Sequence, residues 1–457
     1  MTKKTVWEKT NGEERKKLFA FAEDYRRFLS VSKTERTLTA NSIRMAEEAG
    51  FVPADSLKGA PKPGDRIYFV NRGKNICLYV IGKKPLTEGM NILGAHIDSP
   101  RSDLKQVPLY EKDGLALLDT HYYGGIKKYQ WVARPMAMIG VVCLKDGSVI
   151  DINIGDHEGD PVVAYSDLLI HLAAEQMKKS GSEVVEGEQL DLLVGSIPAE
   201  GEEKEPVKKY ILNLLKEKYG MEEDDFLSAE IEVVPAGEAR NYGLDSSMIM
   251  GYGQDDKICA YASLRAILEM EVPERTSCCI LVDKEEIGSV GNTGMQSRFF
   301  ENTLIRLLDL CGQGSLRQVN EALTNSRMLS SDVSAAFDPL YPSVMDPKNA
   351  AFLGRGICFN KYTGARGKSG SSDASAEYVA KIRRVMDDND VMFQTCEIGK
   401  VDAGGGGTIA YILADMNMDV IDAGICVLNM HAPYEISSKA DLYEGWKAYT
   451  AFLKDMD

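Results

Sequence analysis

The sequence predicts an α/β protein in which a mixed sheet lies between helices, with a smaller β-rich domain inserted into it. Three observations lead there. Short strand-like runs alternate with helix-like stretches after about residue 245, the pattern of a sheet covered by helices. The run Asn91–His96 is almost wholly apolar and ends abruptly in polar residues, as suits a strand buried on both faces. Between about 104 and 240 the signals are instead those of hairpins, such as the Asp146-Gly147 turn between β-rich runs.

Taken in order, residues 13–50 carry helical periodicity, with Leu18, Phe21, Tyr25 and Phe28 on one face. Arg66–Val70 and Ile76–Ile81 alternate around the Asn71–Asn75 turn and read as a hairpin. A helix is expected at about 166–178, before the acidic stretch Glu200–Glu205. Farther on, Ser277–Val282, Met328–Leu329, Gly356–Phe359, Val391–Thr395 and Ile421–Leu428 are strand-like, and 256–270, 373–387, 405–416 and 437–455 are helix-like. The expected division is 1–103 with 240–457 as a discontinuous larger domain, and 104–239 as the insert.

A chain of 457 residues is long enough for two domains. Its 44% hydrophobic and 27% charged residues are those of a globular protein. The formal charge of −16 argues against nucleic acid or an anionic membrane as a partner. Nine scattered cysteines form no C-x-x-C pair and read as reduced thiols. Met1-Thr2-Lys3-Lys4 leads into a charged helix without an apolar core, and no run of about 18 apolar residues follows. The expected compartment is the cytosol.

Two of the five histidines, His96 and His431, stand where apolar strand runs end, and open α/β sheets build their sites beyond strand carboxyl ends. Two residues after His96, Asp98 projects to the same side of an extended chain and can accept the ring's second N–H. Glu285-Glu286 follows Ser277–Val282, so one carboxylate can bind metal while its neighbour holds a water. Asp332 ends a third run, and Asp255-Asp256 opens a helix, where the dipole favours anions. Two histidines with these carboxylates suit Zn²⁺, Co²⁺ or Mn²⁺. Two such ions about 3.5–4 Å apart polarise a carbonyl and activate a water.

Ala95-His96-Ile97-Asp98-Ser99-Pro100-Arg101, Asp255-Asp256, Lys284-Glu285-Glu286-Ile287-Gly288-Ser289, Ser331-Asp332 and Met430-His431-Ala432 follow one another as in the aspartyl-aminopeptidase family. The resemblance covers nearly the whole chain, including the insert with Gly124-Gly125 and Trp131. It implies a dinuclear metallo-aminopeptidase that removes N-terminal residues from peptides. Asp255 then resembles the bridging ligand, His96, Glu286, Asp332 and His431 complete two metal shells, and Glu285 resembles the general base. Asp98 orients a ligating histidine. The resemblance further implies a cis Asp255–Asp256 bond, and a homo-oligomer built through the insert, up to a dodecamer. Within the same broad fold, the alternative is a dinuclear deacylase or carboxypeptidase.

The chain departs from the family pattern twice. Asp167 stands about where better-known members carry a histidine in the insert, and Ala335 replaces a histidine three residues after the Asp332 ligand. Both departures bear on substrate preference. Lys361, after the run ending Cys358-Phe359-Asn360, matches a lysine that faces an acidic N-terminal residue in the family. Gly367-Lys368-Ser369 resembles the end of a phosphate loop, but Tyr362 occupies the required glycine position. Gly404–Gly407 reads either as an anion cradle or as a tight strand-to-helix connection. His121, His157 and His171 lack a ligand-like context.

Overall fold

In the computed structural model, residues 4–364 and 366–457 are described. They divide into two compact units. The larger comprises the chain up to Asp98, Ala239–Met430 and Glu435–Asp457; the smaller comprises Ser99–Glu238 and His431–Tyr434. The insert therefore begins earlier than residue 104, because the strand Arg101–Lys112 already belongs to the smaller unit's sheet.

The larger unit is organised by a nine-stranded mixed sheet. In chain order its strands are β1 (Val52–Pro53), β2 (Arg66–Asn71), β3 (Asn75–Val80), β4 (Met90–His96) and β5 (Thr276–Val282). They continue with β6 (Arg327–Ser330), β7 (Ile357–Asn360), β8 (Phe393–Thr395) and β9 (Asp419–Gly424). The spatial order is β1-β2-β3-β5-β4-β6-β9-β7-β8. At the centre β5, β4, β6 and β9 run parallel, so their carboxyl ends share one edge. Val282 pairs with His96 there, and Ser330 pairs with both Gly94 and Asp422.

Alternation sends successive residues of these strands into two separate cores. Leu93, Ala95, Cys279, Leu281, Leu329 and Ile421 pack with residues of α1 (Gly12–Val31), α2 (Glu35–Glu48) and α3 (Gln254–Leu268). Ile92, Cys278, Ile280, Met328 and Val420 pack instead with α4 (Phe299–Leu310), α5 (Leu316–Thr324) and α7 (Ala410–Ala414). Two further helices, α6 (Ala376–Asp388) and α8 (Lys439–Asp455), join the first core. Burial on both faces explains why the strands read as continuous apolar runs. A second, five-stranded sheet includes Met248–Gly251, Ser334–Ala335 and Glu435–Ser438.

Within the smaller unit, seven strands pair antiparallel throughout, and the helix Pro206–Tyr219 accompanies them. The helix expected at 166–178 is absent; the segment forms only the short 3-10 turns Ile170–Leu172 and Gln176–Lys178. Its larger apolar residues are exposed, Ile170 at 69% and Leu172 at 68%, and only Ala173 is buried. Helices in proteins depend on packing an apolar face, and one buried alanine is too little of one. The stretch 13–50 is likewise two helices, because Thr34 caps a new one at Glu35. In place of a helix over 405–416 the chain forms only Ala410–Ala414, behind the glycine run.

One glycine holds the shared edge together. A Cβ on Gly424, at the end of β9, would stand 1.6 Å from the carbonyl oxygen of Asp332. That neighbour is backbone and has no rotamer with which to move away. Gly424→Ala is therefore expected to destabilise the fold by about 1–3 kcal/mol, the usual scale of overpacking. Gly59, with nothing within 4 Å of its Cβ position, should accept alanine without loss. Thermal unfolding followed by circular dichroism checks both; equal midpoints for the two variants would refute the assignment.

Candidate metal centre

His96 is the last residue of β4 and is 2% exposed. Its Nδ1 lies 3.0 Å from the carbonyl oxygen of Asp98 and 3.4 Å from that residue's Oδ1. A carbonyl only accepts, so Nδ1 carries a proton; Nε2, whose neighbours are carboxylates that also only accept, must carry either a second proton or a metal ion. Nε2 in turn faces Asp255 Oδ1 at 3.0 Å, Glu285 Oε2 at 3.9 Å and Asp332 Oδ1 at 4.0 Å. A metal ion bound at Nε2 would replace that second proton and sit among the same carboxylates.

Asp98 also ties this strand end to the next. Its carboxylate accepts the backbone N–H of Glu285 at 3.1 Å and of Glu286 at 3.2 Å. The chain reaches that position because Lys284 adopts a left-handed conformation after β5 and a 3-10 turn follows over Glu285–Ile287. Asp283 anchors the same turn, with its N–H donating to the Thr293 carbonyl and its Oδ2 accepting the Thr293 hydroxyl at 2.6 Å. The Asp255–Asp256 peptide bond is cis, and both residues have non-helical backbone angles at the start of α3. Asp255 N–H donates to Glu435 Oε2 at 3.0 Å.

These groups supply two ligand-like trios, His96 with Asp255 and Glu286, and His96 with Asp256 and Asp332; the ligand atoms in each lie within 4.8 Å of one another. The mixed N and O donors fit a first-row divalent ion such as Zn²⁺. Electrostatics point the same way. Burial pushes the Asp256 carboxyl well above its ordinary range. Burial, reinforced by Glu285, Asp256 and Asp255, does the same to Asp332, although His96 opposes it. For His96, burial alone would lower the pKa, but Asp255, Asp98 and Asp332 hold it well above the ordinary value. The cluster therefore needs positive charge, and a divalent ion supplies it.

Of the residues expected from the sequence, His96, Asp98, Asp255, Glu285, Glu286 and Asp332 come together in the larger unit. His431 belongs to the smaller unit, where its Nδ1 is 2.7 Å from the Gly125 carbonyl oxygen. That contact makes Nδ1 the donor and directs the lone pair to Nε2, the state a metal ligand needs. Two residues were not singled out from the sequence. Asp256 was visible as half of an acidic pair; Glu435 lies in the second sheet and carries no local signal.

Lys361 follows β7, which runs antiparallel to β9 with Asn360 opposite Asp422. Its Nζ is 2.6 Å from Asp373 Oδ1, and the side chain is 47% exposed. Asp167 accepts from Gln176 Nε2 at 3.1 Å in the smaller unit. The Lys368 ammonium also pairs with Asp373 and stands 3.7 Å from the Tyr362 ring centroid, so Gly367-Lys368-Ser369 is an ordinary loop.

The chain matches the family described as Aminopeptidase I zinc metalloprotease (M18) over residues 28–453. A probable M18 family aminopeptidase 1 of Clostridium acetobutylicum is 56% identical over 456 residues, covering 99% of this chain and 98% of that protein. The crystal structure of an M18 aminopeptidase from Thermotoga maritima superposes with a TM-score of 0.96 at 46% identity, covering 99% of each chain. The mApe1 dodecamer of yeast shares the fold at 18% identity, with a TM-score of 0.77 over 95% of this chain and 96% of that one. The chain belongs to the M18 family and is a metallo-aminopeptidase.

Proposed function

We propose that the chain removes N-terminal residues, acidic ones among them, from peptides in the cytosol, using two divalent ions and Glu285 as general base. The observation that carries this reading is the convergence of His96 Nε2 and the carboxylates of Asp255, Glu285 and Asp332 within 4.0 Å. His96, Asp255, Glu286, Asp332 and His431 would hold the ions, with Asp255 shared between them. When bound, two such ions polarise a carbonyl and lower the pKa of water. Zn²⁺ is the metal of the family's description, and the same donors suit Co²⁺ and Mn²⁺.

The chain's own residues do the rest. Asp98 keeps His96 in one tautomer and pins the backbone of the Glu285 turn, so base and ligand hold a fixed relation. Glu285 takes the proton of the attacking water and delivers it to the leaving amine. A substrate ammonium is attracted to the carboxylates, which selects a free N-terminus. Lys361 would read an acidic first side chain by exchanging Asp373 for the substrate carboxylate. Self-association through the insert is supported by its exposed apolar segment Leu168–Met177 and by the dodecameric yeast relative.

The protein stripped by chelation is expected to lose peptidase activity and to recover it with Zn²⁺, Co²⁺ or Mn²⁺. Glu285→Gln should retain wild-type metal content while kcat falls by at least about 10²-fold. Near wild-type kcat at full metal content would remove Glu285 from its role. On a panel of aminoacyl substrates, Lys361→Ala should lower kcat/KM for Asp and Glu while sparing Leu and Ala; a uniform loss, or none, defeats the specificity assignment. Light scattering at assay concentration should report a homo-oligomer, and a fully active monomer would contradict the role given to the insert.

A further inference from the structure

The two glycine-rich segments that read separately in the sequence form one cleft in the larger unit. Gly364 N–H donates to the Gly406 carbonyl at 2.7 Å, and residues 362–364, 366–368, 397–401, 404 and 405 line a cavity of about 370 Å³. Glycine at 364, 367, 399, 404 and 405 leaves much of that wall as bare backbone, a surface suited to another peptide chain. The charge there runs against the rest of the molecule. In a chain of net charge −16 the cleft carries Arg366, Lys368 and Lys400. Its one carboxylate, Glu397, accepts the hydroxyl of Tyr362. Lys368 is matched by Asp373, but among the described residues neither Arg366 nor Lys400 forms a salt bridge.

The cleft is anchored close to the metal-centre edge. Burial raises the pKa of the Asp422 carboxyl, and Ser330, together with Thr408 and Thr363 next to the two walls of the cleft, helps to hold it down. Asp422 pairs with Ser330 in the sheet, two residues before Asp332. Ile409 packs over Gly94, two residues before His96. A peptide held by its N-terminus at the edge extends away from it by about 3.3 Å per residue, so the length at which its far end meets the cleft is what a series of peptide lengths reads. The anion that such a peptide always carries is its terminal carboxylate.

We propose that the cleft lined by residues 362–364, 366–368 and 397–401 is a subsite for the free C-terminal carboxylate of short peptides, bound by Arg366 and Lys400. The inference rests on the aminopeptidase reading above and deepens it, since it makes oligopeptides with a free carboxyl end the preferred substrates. Such a contact is charge-assisted, so it should appear as a difference in KM of at least about ten-fold.

The experiment uses the intact metal-loaded protein and peptides from dipeptide to pentapeptide, all with Ala or Gly side chains, each as free acid and as C-terminal amide. Wild type should prefer the acid at one or two of the short lengths, through KM, and the preference should shrink as sodium chloride is raised. In Arg366→Ala/Lys400→Ala the ratio of acid to amide should fall toward one. Equal kcat/KM for acid and amide at every length overturns the proposal, as does a double variant that keeps the wild-type preference. A parallel arm uses amides with Asp or Glu at the N-terminus. If the double variant loses those substrates but keeps the acid preference, the cleft reads an acidic side chain instead, and the proposal fails. Hydrolysis by wild type of none of these peptides, those with N-terminal Asp or Glu included, would refute the aminopeptidase reading itself, a result distinguishable from all the others.

Discussion

The structure depends on the crowding of carboxylates around a single imidazole at the carboxyl edge of four parallel strands. Asp255, Glu285 and Asp332 all approach His96 Nε2 within 4.0 Å, in a place almost closed to water. Like charges in a poorly solvated site repel strongly, so the arrangement persists only if positive charge is present and the backbone keeps the groups from separating. The raised pKa values of Asp256 and Asp332 express that tension, and a divalent ion relieves it.

Backbone placement does most of the holding. Each strand that delivers a ligand is buried on both faces, so it cannot slide without moving two cores. Asp98 links the end of β4 to the turn after β5 by accepting two backbone N–H groups, and Glu435 takes the N–H of Asp255 from the second sheet. Gly424 allows the end of β9 to lie directly against the carbonyl of Asp332. These contacts surround the reactive groups and limit how far they can move apart.

Charge is distributed with the same economy. The acidic bulk of the chain and the acidic cluster at His96 both favour cations, whether metal ions or a substrate ammonium. Basic groups gather instead on the loops beside that edge, where Lys361, Arg366, Lys368 and Lys400 occur within one region of the larger unit. A peptide is positive at one end and negative at the other, and the two regions complement it.

The sequence by itself determined where chemistry-bearing side chains fall along strands. Apolar runs ending at His96, before Glu285-Glu286 and before Asp332 can be read one segment at a time, because burial on both faces imposes a local pattern. Tertiary structure alone decided which carboxylates share one nitrogen, since that depends on the register of β4, β5 and β6, set by pairing between residues nearly 190 or more positions apart, as in Val282 with His96. It also decided that Lys361 pairs with Asp373 and that Glu435 reaches Asp255. The 166–178 stretch shows the converse: its periodicity is helical, yet its larger apolar side chains are exposed and only short turns form. Periodicity records which face is apolar; whether another surface covers that face is a property of the folded chain.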